Sequence, residues 1–252
     1  MFEIIILSAI QGITEFLPVS SSSHLIIVSE YLEFENQSLS IDVSLHIGSF
    51  FAVLLYFYKD IINFYVNKIL FFKILISSLP VMIIGYLLIE TNYIQKIRSL
   101  ETVAWSTIIF GILLFISDKF KLKKNIKNNF NFQSAIFIGI LQIFSLIPGV
   151  SRSGIAITAA RFLKFERTDA AKISFLLSIP ILGAVSIFGL TNILLSENNN
   201  FAELNLFAIF LSFIFSFITI KYFLGFIKKF NLNVFVYYRV ILGSILLVLA
   251  YL

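Results

Sequence analysis

From Ile74 to Ile89, and again from Thr102 to Ser117, the chain carries no charged residue at all. Each run approaches the roughly 20 residues an α-helix needs to cross a hydrocarbon core about 30 Å thick. With 59% of its 252 residues hydrophobic, 13% charged and a mean hydropathy of +0.96, the chain falls outside the water-soluble class and reads as an integral membrane protein. The apolar runs are continuous and lack the strict alternation of a membrane barrel, so helices are the expected spanning element. Cysteine is absent, which excludes disulfides and thiolate-bound metals. The net charge of +5 comes from basic residues clustered beside apolar segments. Membrane topology and anionic lipid account for that pattern, and nucleic acid is not an expected partner. Met1-Phe2-Glu3-Ile4 offers neither a basic n-region nor a small-residue cleavage site, so a removable signal peptide is not expected.

Six segments are read as spans: Ile41 to Tyr58, Ile74 to Ile89, Thr102 to Ser117, Ala170 to Leu195, Leu204 to Ile227 and Val234 to Leu252. Two more are apolar but too short. Met1 to Leu17 runs into Pro18 and the serines Ser20 to Ser23 before His24 to Leu32 can resume a helix, and Glu30, Glu33 and Glu35 then mark a loop. Ser134 to Ile147 runs into Pro148-Gly149-Val150-Ser151-Arg152-Ser153-Gly154 before Ile155 to Leu163. A helix, a break and a second short helix that enter and leave by one face form a re-entrant element, whose free backbone groups must be covered by protein or water. The expected fold is therefore an all-α integral membrane protein of six transmembrane helices plus two re-entrant helical hairpins.

The two breaks look like copies. Gln11 precedes Ser20 by nine positions and Gln142 precedes Ser151 by nine, with a proline shortly before the serine in each. Pro80 and Pro180 are each read as lying in the span that follows the break in their own half, so that one twofold pattern places all four prolines. This predicts an inverted-topology repeat within a single membrane domain, 1–252. The first half covers approximately 1–117, the basic loop 118–133, and the second half approximately 134–252. Such repeats place their ligand where the broken helices meet.

The breaks carry complementary chemistry. Ser151-Arg152-Ser153-Gly154 puts a guanidinium and two hydroxyls at a helix start, where unpaired N–H groups and the positive dipole end favour an anion. Arginine's planar fork matches two phosphate oxygens, and Gly149 and Gly154 allow the backbone close to a ligand. Phosphate or diphosphate is the implied ligand. In the first break Gln11 and Glu15, four apart, share a helix face. A carboxylate near phosphate must be protonated, shuttle a proton or be bridged by a cation. His24 is a natural proton acceptor or donor, and a serine activated by such a base could attack phosphorus. Taken one at a time, these residues have plainer readings: a helix cap for the serines, a packing role for His24, and snorkelling for Arg152.

Gln11-x-x-x-Glu15 followed by Phe-Leu-Pro-Val-Ser20-Ser21-x-x-His24, together with Pro148-Gly-x-Ser151-Arg152-Ser153, resembles the undecaprenyl-diphosphate phosphatases of the bacitracin-resistance type. The resemblance extends to Leu45-His46-Ile47-Gly48-Ser49 and Phe175-Leu176-Leu177-Ser178-Ile179-Pro180, and so to nearly the whole chain. It implies an enzyme that removes the terminal phosphate of undecaprenyl diphosphate, regenerating the lipid carrier for peptidoglycan and other envelope polymers and conferring bacitracin resistance. It further implies a divalent cation, Mg2+ or Ca2+, and no organic cofactor. Glu15 falls on the required second acid, which could also touch the metal, and Gln11 on the first, where glutamine is an accepted variant. Ser21 falls on the serine proposed as nucleophile, Ser20 on its neighbour and His24 on the motif histidine. Arg152, with Ser151, Ser153 and Gly154, falls on the phosphate-binding motif. One departure is Ala156, where the family has threonine; Thr158 is the nearest substitute hydroxyl. Gln11 also leaves a single carboxylate in the first motif, which puts tight cation binding by a carboxylate pair in doubt.

Expected partners are the polyprenyl diphosphate and surrounding membrane lipids, with a homodimer allowed. Two other classes compete at this point: a secondary transporter or flippase for a phosphate-bearing lipid or anion, since repeats with broken helices are common transporter anatomy, and a noncatalytic lipid-binding protein. Attack by Ser21 and direct attack by water both remain open. Placing the Lys119 to Lys127 loop in the cytoplasm sends Lys59, Lys68, Lys73, Lys164, Arg167, Lys172, Lys228 and Lys229 to the same side, leaving only Lys96 and Arg98 opposite. The protein is thus expected in the bacterial cytoplasmic (inner) membrane as a multi-pass protein, both chain ends and the mouth of the site at the outer face.

Overall fold

Each long apolar run folds as a helix. The computed structural model describes residues 1–32, 38–91, 97–120, 124–195 and 203–252. Its elements are α1 (Phe2–Thr14), α2 (Ser21–Leu32), α3 (Leu39–Tyr56), α4 (Tyr58–Asn63), α5 (Lys68–Glu90), α6 (Leu100–Asp118), the single turn α7 (Ile126–Asn129), α8 (Phe132–Gln142) with a 3-10 turn over Ile143–Leu146, α9 (Arg152–Phe162), α10 (Arg167–Leu195), α11 (Glu203–Ile227) and α12 (Asn233–Tyr251). Six of them, α3, α5, α6, α10, α11 and α12, are long and apolar enough to cross a membrane, the number expected. Among the described residues there is no strand, only an isolated bridge between Lys124 and Phe165. Glu33, Glu35, Lys96, Lys121, Lys123 and the Glu197 to Asn200 loop lie outside the described residues.

Polar side chains set the helix starts. Ser38, Asn67, Ser99, Asn125, Asn131 and Ser151 each accept a hydrogen bond from the backbone N–H three residues on, satisfying a donor the helix itself cannot. Capping explains why boundaries differ from those expected. α5 starts at Lys68, after the Asn67 cap, and not at Ile74; Lys73 reaches out to donate to the Phe130 carbonyl at 2.6 Å. α2 starts at Ser21 and α9 at Arg152, three residues earlier than His24 and Ile155; in α9 Ser151 caps the Gly154 amide, and the Arg152 guanidinium at the positive helix end is offset by Glu15.

The expected pairing of Pro80 with Pro180 does not hold. Pro80 lies in α5, the second long helix after the first break, whereas Pro180 lies in α10, the first long helix after the second. α3, which follows the first break directly, contains no proline. A membrane helix tolerates proline wherever its neighbours cover the freed backbone groups, so nothing ties these two to equivalent positions.

Helix contacts combine small residues, hydroxyls and one charged knot. Ser49 on α3 lies 2.9 Å from the Ser216 hydroxyl of α11, and Ser212 donates to the Leu45 carbonyl at 2.6 Å. The knot is built on Asp118 at the end of α6. Its carboxylate accepts from Arg161 at 3.2 Å, Arg167 at 2.8 Å and the Leu232 amide at 3.2 Å, joining α9, α10 and the start of α12. Arg161, wholly buried, also donates to the carbonyls of Asp118, Phe120 and Phe165. It anchors the far end of α9, whose near end carries Arg152.

Candidate active site

The two breaks meet. Ser153 donates to the Leu17 carbonyl at 2.7 Å, tying the start of α9 to the end of the first break. Arg239 of α12, fully buried, donates to the carbonyls of Pro18 at 3.3 Å, Gly149 at 2.9 Å and Thr107 at 3.1 Å. One guanidinium thereby satisfies backbone acceptors in both breaks that no helix could pair. Ser20 and Ser151, immediately before α2 and α9, both adopt left-handed backbone angles, with φ of 76° and 70°. Such conformations are costly for a residue with a Cβ and persist only where surrounding contacts enforce them. At Gly149, with φ of 97°, a side chain would also collide with Ser106 and the Val103 carbonyl, so glycine is required there.

Glu15 is the hub. One carboxylate oxygen accepts from Arg152 at 2.8 Å. The other accepts from the Ser21 hydroxyl at 2.8 Å and from the Gln11 amide at 3.1 Å. Arg152 uses its second terminal nitrogen on the Ser174 carbonyl at 3.1 Å, which leaves further N–H groups for a ligand. Glu15 and Arg152 are only 9% and 11% exposed, so their mutual pairing is what makes either charge tolerable there.

Beside them lies a cavity of about 560 Å³. Glu15, Ser20, Ser21, His46, Ser151 and Arg152 form its polar end; Val81, Met82, Tyr86 and Ile89 of α5 and Ile181, Leu182, Val185 and Phe188 of α10 supply apolar walls. Arg98, just before α6, lines it as well and interacts electrostatically with Asp42 of α3. A polar end with a cation and long apolar walls suits an amphiphile with an anionic head.

The structure thus brings Gln11, Glu15, Ser21 and Arg152 into one hydrogen-bonded group and puts Ser20 and Ser151 on the cavity. It does not bring His24 there. The His24 ring lies 2.6 Å from the Ser20 carbonyl and 2.5 Å from the Tyr238 hydroxyl, so both nitrogens are engaged away from Ser21, whose partner is Glu15. Ser153 and Gly154 also turn inward: Ser153 to Leu17, and Gly154 against Arg239, whose Nη1 a Cβ would approach to 3.0 Å. Thr158 is buried further along α9 and does not line the cavity.

Three residues were not read as part of the site: His46, quoted only within a motif, Arg98, noted only for its charge, and Arg239. Each had a signal. His46 interrupts an apolar span, Arg98 sits on the face otherwise depleted of basic residues, and Arg239 is the one charge in the last span.

Comparison with known proteins decides the family. Residues 4–245 match the family described as bacitracin resistance protein BacA. This chain belongs to that family. Among its relatives is an undecaprenyl-diphosphatase of Pelagibacter ubique (strain HTCC1062), 47% identical over 100% of this chain and 98% of the relative. Proteins of the same name from Jannaschia sp. (strain CCS1), at 36% over 100% of this chain and 99% of the relative, and from Saccharophagus degradans (strain 2-40 / ATCC 43961 / DSM 17024), at 40% over 95% and 94%, are also similar. BacA family membership therefore covers both breaks and every helix that lines the cavity.

Proposed function

We propose that this protein hydrolyses undecaprenyl diphosphate to undecaprenyl phosphate and phosphate, recycling a lipid carrier of envelope synthesis and conferring bacitracin resistance. The observation that carries the mechanism is the double engagement of Glu15, with the Ser21 hydroxyl on one oxygen and Arg152 on the other. The terminal phosphate docks against Arg152 and the N-terminus of α9, with the prenyl chain leaving along the apolar walls. Ser21 Oγ attacks the terminal phosphorus as its proton passes to Glu15; the bond to the bridging oxygen breaks and its electron pair leaves with the lipid phosphate. Water then attacks the phosphoserine, the serine oxygen recovers its proton from Glu15, and inorganic phosphate departs.

A divalent cation fits this donor set poorly. Both Glu15 oxygens are already engaged, position 11 is an amide, and the described residues contain no group of three or more acids and histidines placed to hold a metal.

The re-entrant and inverted arrangement is supported by matched details. In each half two short helices precede three long ones, with the short α4 inserted between the first two long helices of the first half alone. α1 packs on α11 as α8 packs on α5, at Gly12 against Phe215 and Ser216 and at Gly139 against Ser77. The cavity contains Ile89, Arg98 and Phe188, all at the end of the bundle remote from Lys124, Lys164, Lys172 and Lys228. The positive-inside rule then makes that end the outer one.

Phosphate release from undecaprenyl diphosphate by the purified protein in detergent tests the reading. Wild-type release abolished in Ser21→Ala is expected. Saturable lipid binding with no phosphate released would instead favour a transporter or a lipid-binding protein.

A further inference from the structure

The geometry points to His46 as a hydrogen-bond donor to the bound diphosphate, its ring proton assigned to Nε2 by Gln11. The inference rests on the phosphatase reading of the cavity, but it begins from hydrogen-bond accounting alone.

His46 lines the cavity on the second turn of α3. Its Nδ1 lies 2.9 Å from Nε2 of Gln11, whose other amide hydrogen goes to Glu15 at 3.1 Å. An amide nitrogen donates and cannot accept, so Nδ1 must be the acceptor and a neutral ring carries its proton on Nε2. Reversing the amide would set its oxygen against the Glu15 oxygen in a buried site, acceptor against acceptor, a worse arrangement than leaving Gln11 Oε1 unpartnered among the described residues, as in this orientation. Glu15 in turn is held as a carboxylate by Arg152 and Ser21. The chain Arg152, Glu15, Gln11, His46 is therefore polarised in one direction. Among the described residues Nε2 of His46 makes no hydrogen bond. Asp42, one turn earlier, interacts with the ring only electrostatically. What remains for this N–H is the cavity, where the anionic head docks.

Gln11 and His46 form a matched pair. A carboxylate at position 11 accepts instead of donating, which moves the ring proton to Nδ1 and turns a lone pair toward the phosphate. A glutamine at position 46 keeps the donor only beside Gln11, presenting its oxygen to that amide and its NH2 to the ligand; beside a carboxylate at position 11 its NH2 turns inward and its oxygen faces the phosphate. His46→Gln alone should therefore keep most of the activity, whereas Gln11→Glu should be damaging with either residue at position 46.

Only two histidines are present, so ring ¹⁵N spectra of the full chain in detergent resolve both, and a His24→Gln variant assigns them. The expected results are an Nε2–H tautomer for His46, an Nδ1–H tautomer in Gln11→Glu, and displacement of the His46 Nε2 signal on adding methylene diphosphonate, a non-hydrolysable diphosphate. In turnover, His46→Ala should cost about 10²-fold in kcat, the scale of losing one preorganised donor to a developing charge. His46→Gln should stay well above His46→Ala, and adding it to Gln11→Glu should restore little. An Nδ1–H tautomer in the wild type, an unmoved His46 signal in saturating diphosphonate, or a His46→Gln variant as inactive as His46→Ala would each overturn the role. Wild-type protein that bound diphosphonate through His46 but released no phosphate would sink the phosphatase reading and leave His46 as a diphosphate ligand.

Discussion

Arg152 and Glu15 are 137 positions apart, yet their 2.8 Å contact decides what the cavity can do. In the structure the guanidinium pairs with the carboxylate; in the proposed mechanism it also holds the substrate phosphate. Arg152→Lys keeps the charge and loses the fork, and should lower turnover about 10²-fold or more while the helices remain folded. Glu15→Gln keeps the shape but removes the proton acceptor of Ser21, with an expected loss of about 10²- to 10⁴-fold. Steady-state phosphate release with circular dichroism as a folding control measures both. Rapid quench with wild-type enzyme should trap a Ser21 phosphopeptide that Ser21→Ala lacks. Calorimetric titration of Mg2+ or Ca2+ into lipid-free protein should show no saturable binding, since the Glu15 oxygens are engaged already; a tight site would place the cation in the protein. Much of this site was legible in the sequence, because Gln11, Glu15, Ser21 and Arg152 sit in two compact motifs. The partner of Ser21 was not. His24 is closer along the chain than Glu15 by three positions and has the more suitable ordinary pKa, but its ring is captured by Ser20 and Tyr238, and Tyr238 lies 214 positions away. His46, Arg98 and Arg239 were hidden for the same reason: their meaning depends on which helices meet, which local spacing does not encode.

At the scale of elements, α9 is held at both ends by buried arginines that are not its ligand-facing one. Arg239 fixes the backbone before α9 and Arg161 fixes its last turn on Asp118. Removing the acid leaves Arg161, with 0% of its side chain exposed, without its counter-charge. Asp118→Ala should therefore cost about 3–5 kcal/mol, the scale for orphaning a buried charge. Denaturant unfolding in detergent would read it, and a loss under 1 kcal/mol would mean that the carbonyl acceptors alone satisfy Arg161. The existence of all six long helices was legible from apolar length, but their ends were less so. Lys68 and Arg152 begin helices that hydropathy alone would start later, since a charged side chain at a helix end reaches polar surroundings while its backbone stays helical. The mispairing of Pro80 with Pro180 arose in the same way, from treating a locally tolerated residue as a symmetry mark.

For the whole molecule, the distribution of charge and the position of the cavity agree. The ends of α3, α6 and α11 and the starts of α5 and α10 gather nearly all the lysines, while the opposite end holds the cavity with Arg98 among its lining residues. Arg98 looked like an exception to the positive-inside bias, and its place on the cavity beside Asp42 gives it a reason to be there that has nothing to do with topology. On the proposed orientation the substrate head is met at the outer leaflet, with its prenyl chain between α5 and α10. The natural absence of cysteine makes the orientation directly measurable. Single cysteines at Thr91 and Glu203, both exposed at the cavity end, should react with a membrane-impermeant thiol reagent in intact cells, and a cysteine at the exposed Asn125 should react only after lysis. The reverse pattern would turn the cavity to the cytoplasm and require the diphosphate to be hydrolysed there. Labelling of all three in intact cells would remove the six-span arrangement altogether, because Thr91 and Asn125 are separated by one crossing, α6.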